Sequence, residues 1–178
     1  MLLHHPDKAN NAWNKHDPTS RNFVLADREN VERTPTGDGW AEMMLRPQLS
    51  ETVPEDVVEL FEVARSILLY GWYFYPLYTT GSQQLFQVHE AALFHRCKEL
   101  GSTIKDKTFS EKLEWLLNEG HIDKAREGQW DAARRLRNSA AHQTRQFIYD
   151  PSMAVYNVEI TVELINELFS LRKGPSPA

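Results

Sequence analysis

The run Arg134-Arg135-Leu136-Arg137-Asn138-Ser139-Ala140-Ala141-His142 holds the residue types best suited to chemistry in this chain. Between Lys124 and Arg145 stand six Lys/Arg against only Glu127 and Asp131, in a chain whose formal net charge is −5. The positive charge of an acidic protein is thus concentrated on one segment, which should draw anions. On a helix, Arg134, Asn138 and His142 are i, i+4 neighbours and make one polar stripe. Arg137 lies one residue along, among the small residues Ala133, Ala140 and Ala141, which would let another helix or subunit approach closely.

An arginine, an asparagine and a histidine suffice in principle to cleave RNA without a metal. Arg137 can fork onto a phosphate and offset charge that builds up in the transition state. His142, with an ordinary pKa near 6.5, can accept a proton from a ribose 2′-hydroxyl or donate one to the departing 5′-oxygen. Asn138 can orient the imidazole or hold the phosphate, and Arg134, Arg135 and Arg145 supply further phosphate contacts. Spacing alone equally allows a structural arginine paired with a carboxylate and a histidine favoured by a helix C-terminus. Five positions turn a helix by about 140° beyond a full turn, so Arg137 and His142 cannot point at one atom from one straight helix. Either the helix loosens before His142, or two copies meet across a two-fold axis and complete each other's site, which predicts a homodimer.

The elements that would position these residues are helical. From Ser50 onward apolar residues recur at helical spacing and the punctuation is that of helix ends. The pattern predicts five helices. The first starts near Pro54, turns Val57, Phe61, Ala64 and Leu68 inward and ends before Pro76. The second runs from Ser82, a candidate N-cap, to a stop at Gly101, with Phe86, Leu93, Cys97 and Leu100 on one stripe. The third is short, opened by a Thr108/Glu111 capping box and closed at Gly120, with Leu113 and Leu116 facing the core. The fourth runs from Asp123 through Trp130 to about His142, with Gly128 as a weak point near its start. The fifth is capped by Asp150 with Pro151 in its first turn, and repeats Val155, Val158, Val162, Ile165 and Phe169 until Gly174.

This pattern predicts an all-α fold, an antiparallel up-and-down bundle of four to five helices over residues 51–174. No period of a helical repeat array occurs, which excludes a solenoid. Residues 1–50 form a polar head, read as an arm that is partly disordered or holds two short strands around the turn at Thr34-Pro35-Thr36-Gly37-Asp38-Gly39. His4, His5 and His16 in that head are read as solvated.

The hexapeptide Arg137-Asn138-Ser139-Ala140-Ala141-His142 resembles the R-x4-6-H motif of the HEPN superfamily (higher eukaryotes and prokaryotes nucleotide-binding), with the polar residue that family places after its arginine. Pro54-Glu55-Asp56-Val57, Glu62-Val63-Ala64, Gln87 to Leu93, Leu100-Gly101 and Phe109 to Ile122 resemble, in the same order, the helical domain of its DUF4145-like branch. The similarity covers about residues 50–172. It implies a four- or five-helix bundle that dimerises along its motif helices to form a basic cleft. In active members that cleft cleaves RNA without metal and leaves a 2′,3′-cyclic phosphate, in toxin–antitoxin, phage-defence or RNA-processing settings. Carried over, Arg137 would bind the scissile phosphate, His142 would act as acid or base, and Asn138 would support both. Other members are binding or assembly modules, for which RNA, a nucleotide or a protein partner such as an antitoxin would be the ligand. The head has none of the zinc-binding cysteines sometimes found ahead of the DUF4145-like helical domain.

Glu90 has Phe86, Leu93 and Phe94 as helical neighbours, where a lone carboxylate is costly. It needs a partner, either Arg137 or a neighbouring arginine that fixes the site, or an ordinary stabilising ion pair. The aromatic cluster Tyr70, Trp72, Tyr73, Phe74, Tyr75 and Tyr78 could be a base-stacking platform, or corner packing or a subunit interface. His89-Glu90 followed by His95 spaces its histidines by six where a zincin helix needs four, so no metal is expected. Neither is a cofactor, because no glycine-rich phosphate loop, nucleophile elbow or dinucleotide fingerprint occurs.

The 178 residues, 41% apolar and 25% charged with a pI near 5.8, are enough for a single core. No window approaches the ~20 apolar residues of a membrane span and the N-terminus lacks a signal peptide's pattern. With a single cysteine, Cys97, these features point to a cytoplasmic protein with no membrane partner.

Overall fold

The computed structural model describes residues 15–19, 25–26, 32–33, 36–104, 106–141 and 149–170, with the side chains of 136–141 left aside. The fold is all-α. Its helices are α1 (Gly37–Leu45), α2 (Glu55–Tyr70), α3 (Leu77–Glu99), α4 (Phe109–Asn118), α5 (Glu127–Ala141) and α6 (Pro151–Ser170), with a 3₁₀ turn at Lys124–Arg126 leading into α5. Two strands of two residues, β1 (Leu25–Ala26) and β2 (Glu32–Arg33), pair antiparallel with Leu25 opposite Arg33. None of the helices among the described residues is long and apolar enough to cross a membrane.

Local chemistry sets the helix ends as the spacing predicts. Thr108 and Glu111 close a reciprocal capping box at the start of α4, and Asp150 accepts from the Met153 amide at 2.9 Å to cap α6. Gly101 and Gly120 follow α3 and α4 with φ of 69° and 73°, the left-handed conformation that closes a helix and suits glycine. The apolar stripes point inward: Val57, Phe61, Ala64 and Leu68 of α2, Leu93 and Cys97 of α3, and Val158, Val162, Ile165 and Phe169 of α6 are all buried.

Three expectations are corrected. The second predicted helix starts earlier, at Leu77 directly behind Pro76, and Ser82 is a buried residue of its second turn, where the sequence reading made it an N-cap. The cause is close approach: a Cβ on Gly81 would fall 2.5 Å from Leu68 Cγ, so α3 lies against α2 in the turn where glycine was expected to precede a helix start. Second, the Thr34–Gly39 turn opens a sixth helix. Thr36 caps α1 by accepting from the Gly39 amide at 3.1 Å, and Trp40 and Met44 are buried in the main core. The Trp40 indole N–H donates to Leu69 O at 3.1 Å, and α1 packs on α2 and α6. Third, His16 stacks on Trp72 with ring centroids 3.6 Å apart, and the neighbouring Asp17 is buried, accepting from the Tyr75 amide at 2.9 Å. The segment 15–19 is thereby fastened to the corner between α2 and α3.

That corner resolves part of the aromatic cluster into packing. Tyr75 and Tyr78 are buried and meet edge to face at 5.5 Å, and Tyr78 meets Trp40 in the same way at 5.3 Å. Tyr70, Tyr73 and Phe74 stay exposed. The long helix α3 is the centre of the arrangement, packed on α2, α4, α5 and α6. It therefore decides what α5 and α6 can bury beside it.

Candidate functional site

Helix α5 carries two different surfaces. Asp123 caps the 3₁₀ turn before it, accepting from the Ala125 amide at 2.9 Å. Trp130 and Ala133, one turn apart, are buried against the core. Arg126 is drawn onto α6: its Nε donates to Glu167 at 2.9 Å, its other nitrogens meet Glu163 and Glu167, and it also donates to Gln129 at 2.9 Å. One of the six cations counted in this segment is therefore a clip between elements.

On the outer side, Asp131 receives both Arg134, with Nε at 2.7 Å, and Arg135, with Nε at 2.6 Å. The Arg134 hydrogen bond, followed by that of Arg135, holds the Asp131 carboxyl below its ordinary pKa. Arg135 is 75% exposed, so it keeps donors toward solvent while paired. The pairing concentrates two guanidinium groups on one carboxylate and leaves a net positive charge at that spot.

Of the other residues singled out from the sequence, Arg137 and Asn138 occupy the last turns of α5 by backbone. His142 and Arg145 lie outside the described residues. Glu90 is half-buried on α3, which packs on α5, so Glu90 and the motif segment belong to neighbouring elements. Arg134 and Arg135 are thus the candidate site residues that the structure brings together, through an aspartate the sequence reading counted only as charge. Among the described residues no cluster of three His, Cys, Asp or Glu side chains could hold a metal.

Comparison of the chain with protein-family models, with curated proteins and with solved structures gives no match, so the argument rests on its own residues.

A second polar group lies on the buried face of the same helix. His89 of α3 is buried, its ring edge-on to Trp130 at 5.1 Å. His89 Nε2 is 2.9 Å from Thr161 Oγ1, and the Thr161 hydroxyl donates to the Asn157 carbonyl at 2.6 Å. Asn157 in turn donates to the Ser82 hydroxyl at 3.3 Å. Because the one hydroxyl proton of Thr161 is engaged by Asn157, the His89–Thr161 bond must use the Nε2 proton, and Nδ1 carries the lone pair. Burial lowers the His89 pKa to about 4, so the ring is neutral at pH 7. Nδ1 has no hydrogen-bond partner.

The sequence reading missed this group. Ser82 was assigned to a cap and His89 entered only as a rejected metal ligand. The available signal is that Asn157 and Thr161 are four apart between apolar positions of α6, and Ser82 and His89 seven apart on α3, so four polar residues fall on buried faces.

Proposed function

We propose that this chain is a HEPN-type, metal-independent endoribonuclease, in which attack by a ribose 2′-hydroxyl leaves a 2′,3′-cyclic phosphate. The observation that carries this reading is the placement of Arg137-Asn138 in the closing turns of the penultimate helix, beside a paired-arginine surface at Arg134 and Arg135. Arg137 binds the scissile phosphate, His142 transfers the proton, Asn138 positions them, and Arg134, Arg135 and Arg145 hold flanking phosphates. A homodimer along α5 supplies the second half of the cleft, and a toxin, phage-defence or RNA-processing role would follow. Glu90 supports the motif from α3.

The neutralising contact of Asp131 on Arg134 and Arg135 favours one other reading, a non-catalytic module that binds RNA, a nucleotide or a protein partner such as an antitoxin through the same groove. The experiment that separates them incubates the full chain with mixed RNA in EDTA, beside Arg137→Ala and His142→Ala. Cleavage with cyclic-phosphate ends, reduced on the order of 10²-fold or more in both variants, is expected of the enzyme. Equal cleavage in all three samples would mean contamination and sink the nuclease reading, whereas RNA retention without cleavage would favour the module.

A further inference from the structure

Between α3, α5 and α6 the described residues enclose a cavity of about 260 Å³. Leu85 and Phe86 of α3, Ala132 and Ala133 of α5 and Ile160 of α6 give it apolar walls, and His89 and Thr161 also line it. None of the side chains lining it is Asp, Glu, Lys or Arg. Gly128, also in its lining, has nothing within 4 Å of the place a Cβ would occupy. Tyr156, another wall residue, is exposed, as are Gly128 and Ala132, so the cavity reaches solvent. A cavity of roughly 150 Å³ suffices for a benzene ring, and drug-sized ligands need ~300–1,000 Å³.

We propose that this cavity is a binding site for a small, neutral, ring-sized ligand carrying one hydrogen-bond donor, which the unpartnered Nδ1 of His89 accepts. The physical case begins with the orphaned acceptor: a buried nitrogen lone pair without a donor is a standing penalty that a ligand O–H or N–H removes. The chain Asn157–Thr161–His89 fixes which nitrogen is the acceptor, so the site selects donors over acceptors. The absence of a charged side chain from the described walls excludes ionic ligands, whose desolvation nothing there would offset. This site lies at Gly128–Ala133, the opening half of α5, whereas the RNA-directed residues lie at its end, so the two proposals stand or fall separately.

The test is calorimetric titration of the full chain with phenol and with toluene, which share a ring and differ in the hydroxyl. Saturable phenol binding about tenfold tighter than toluene is expected, since one net hydrogen bond is worth about that factor. His89→Phe should abolish the preference, and Ala132→Phe, a bulky group on an exposed helix position, should weaken both ligands while thermal unfolding stays cooperative. In the wild type the His89 Nδ1 nitrogen resonance should move upfield on phenol addition, a readout that needs no variant to fold. Absence of saturable phenol binding, equal affinity for phenol and toluene, or an unmoved Nδ1 resonance would each overturn the proposal.

Discussion

The two polar groups on α5 differ in the one variable that decides how polar atoms are satisfied. Around His89, Thr161, Asn157 and Ser82, water is excluded and every listed contact is a neutral hydrogen bond. Around Asp131, Arg134 and Arg135, solvent reaches the guanidinium groups and full charges are kept. Burial at the first site removes charge from the histidine. Exposure at the second preserves it and leaves it usable toward an anionic ligand. A single helix thus contributes a structural, uncharged inner face and a charged outer one, and these faces should respond differently to substitution, acid and salt.

The largest expected break comes from Trp130, which is 1% exposed and walls the ring of His89. Trp130→Ala should cost about 3–5 kcal/mol of unfolding free energy, measured by denaturant titration. A loss below about 1 kcal/mol would show that the inner face is not packed as described.

Acid should distinguish the faces next. The unfolded histidine titrates near pH 6.5 and His89 near 4 in the fold, so the unfolded chain takes up a proton that the folded chain refuses. Stability on this account is complete above pH 6.5, declines as pH falls, and levels off below about pH 4, for a total of about 3 kcal/mol. The wild-type curve minus that of His89→Phe isolates the effect from the carboxylates. Parallel curves between pH 6.5 and 4 would contradict it.

The smallest effect belongs to the outer face. Asp131→Ala should change stability by less than about 1 kcal/mol, because an exposed pair is screened, and the difference should vanish in 1 M NaCl. A larger, salt-resistant loss would move Asp131 into the structural class and blur the distinction between the faces.

What could be read from residues alone follows from locality. The capping box at Thr108 and Glu111, the Asp150 cap, the glycine closures and the inward stripes of α2, α4 and α6 depend on neighbours three or four positions away, and periodicity exposes them. The basic character of the segment around Arg134–Arg137 is likewise a property of composition. The helical start at Leu77 was hidden because Gly81 looks like a breaker unless one sees Leu68 pressed against it. Helix α1 was hidden because Trp40 and Met44 gain their burial from α2 and α6, far along the chain.

The amino-acid order by itself determined that the chain is helical from Pro54 onward, where most helices end, and where its positive charge accumulates, since each rests on interactions within a turn or two. Only the tertiary structure decided that Arg126 is spent on α6, that Asp131 gathers two arginines, and that His89 meets Thr161 and Trp130 across three helices. Those contacts join positions up to 72 apart, and their energies depend on exclusion of water, which no single segment can accomplish alone.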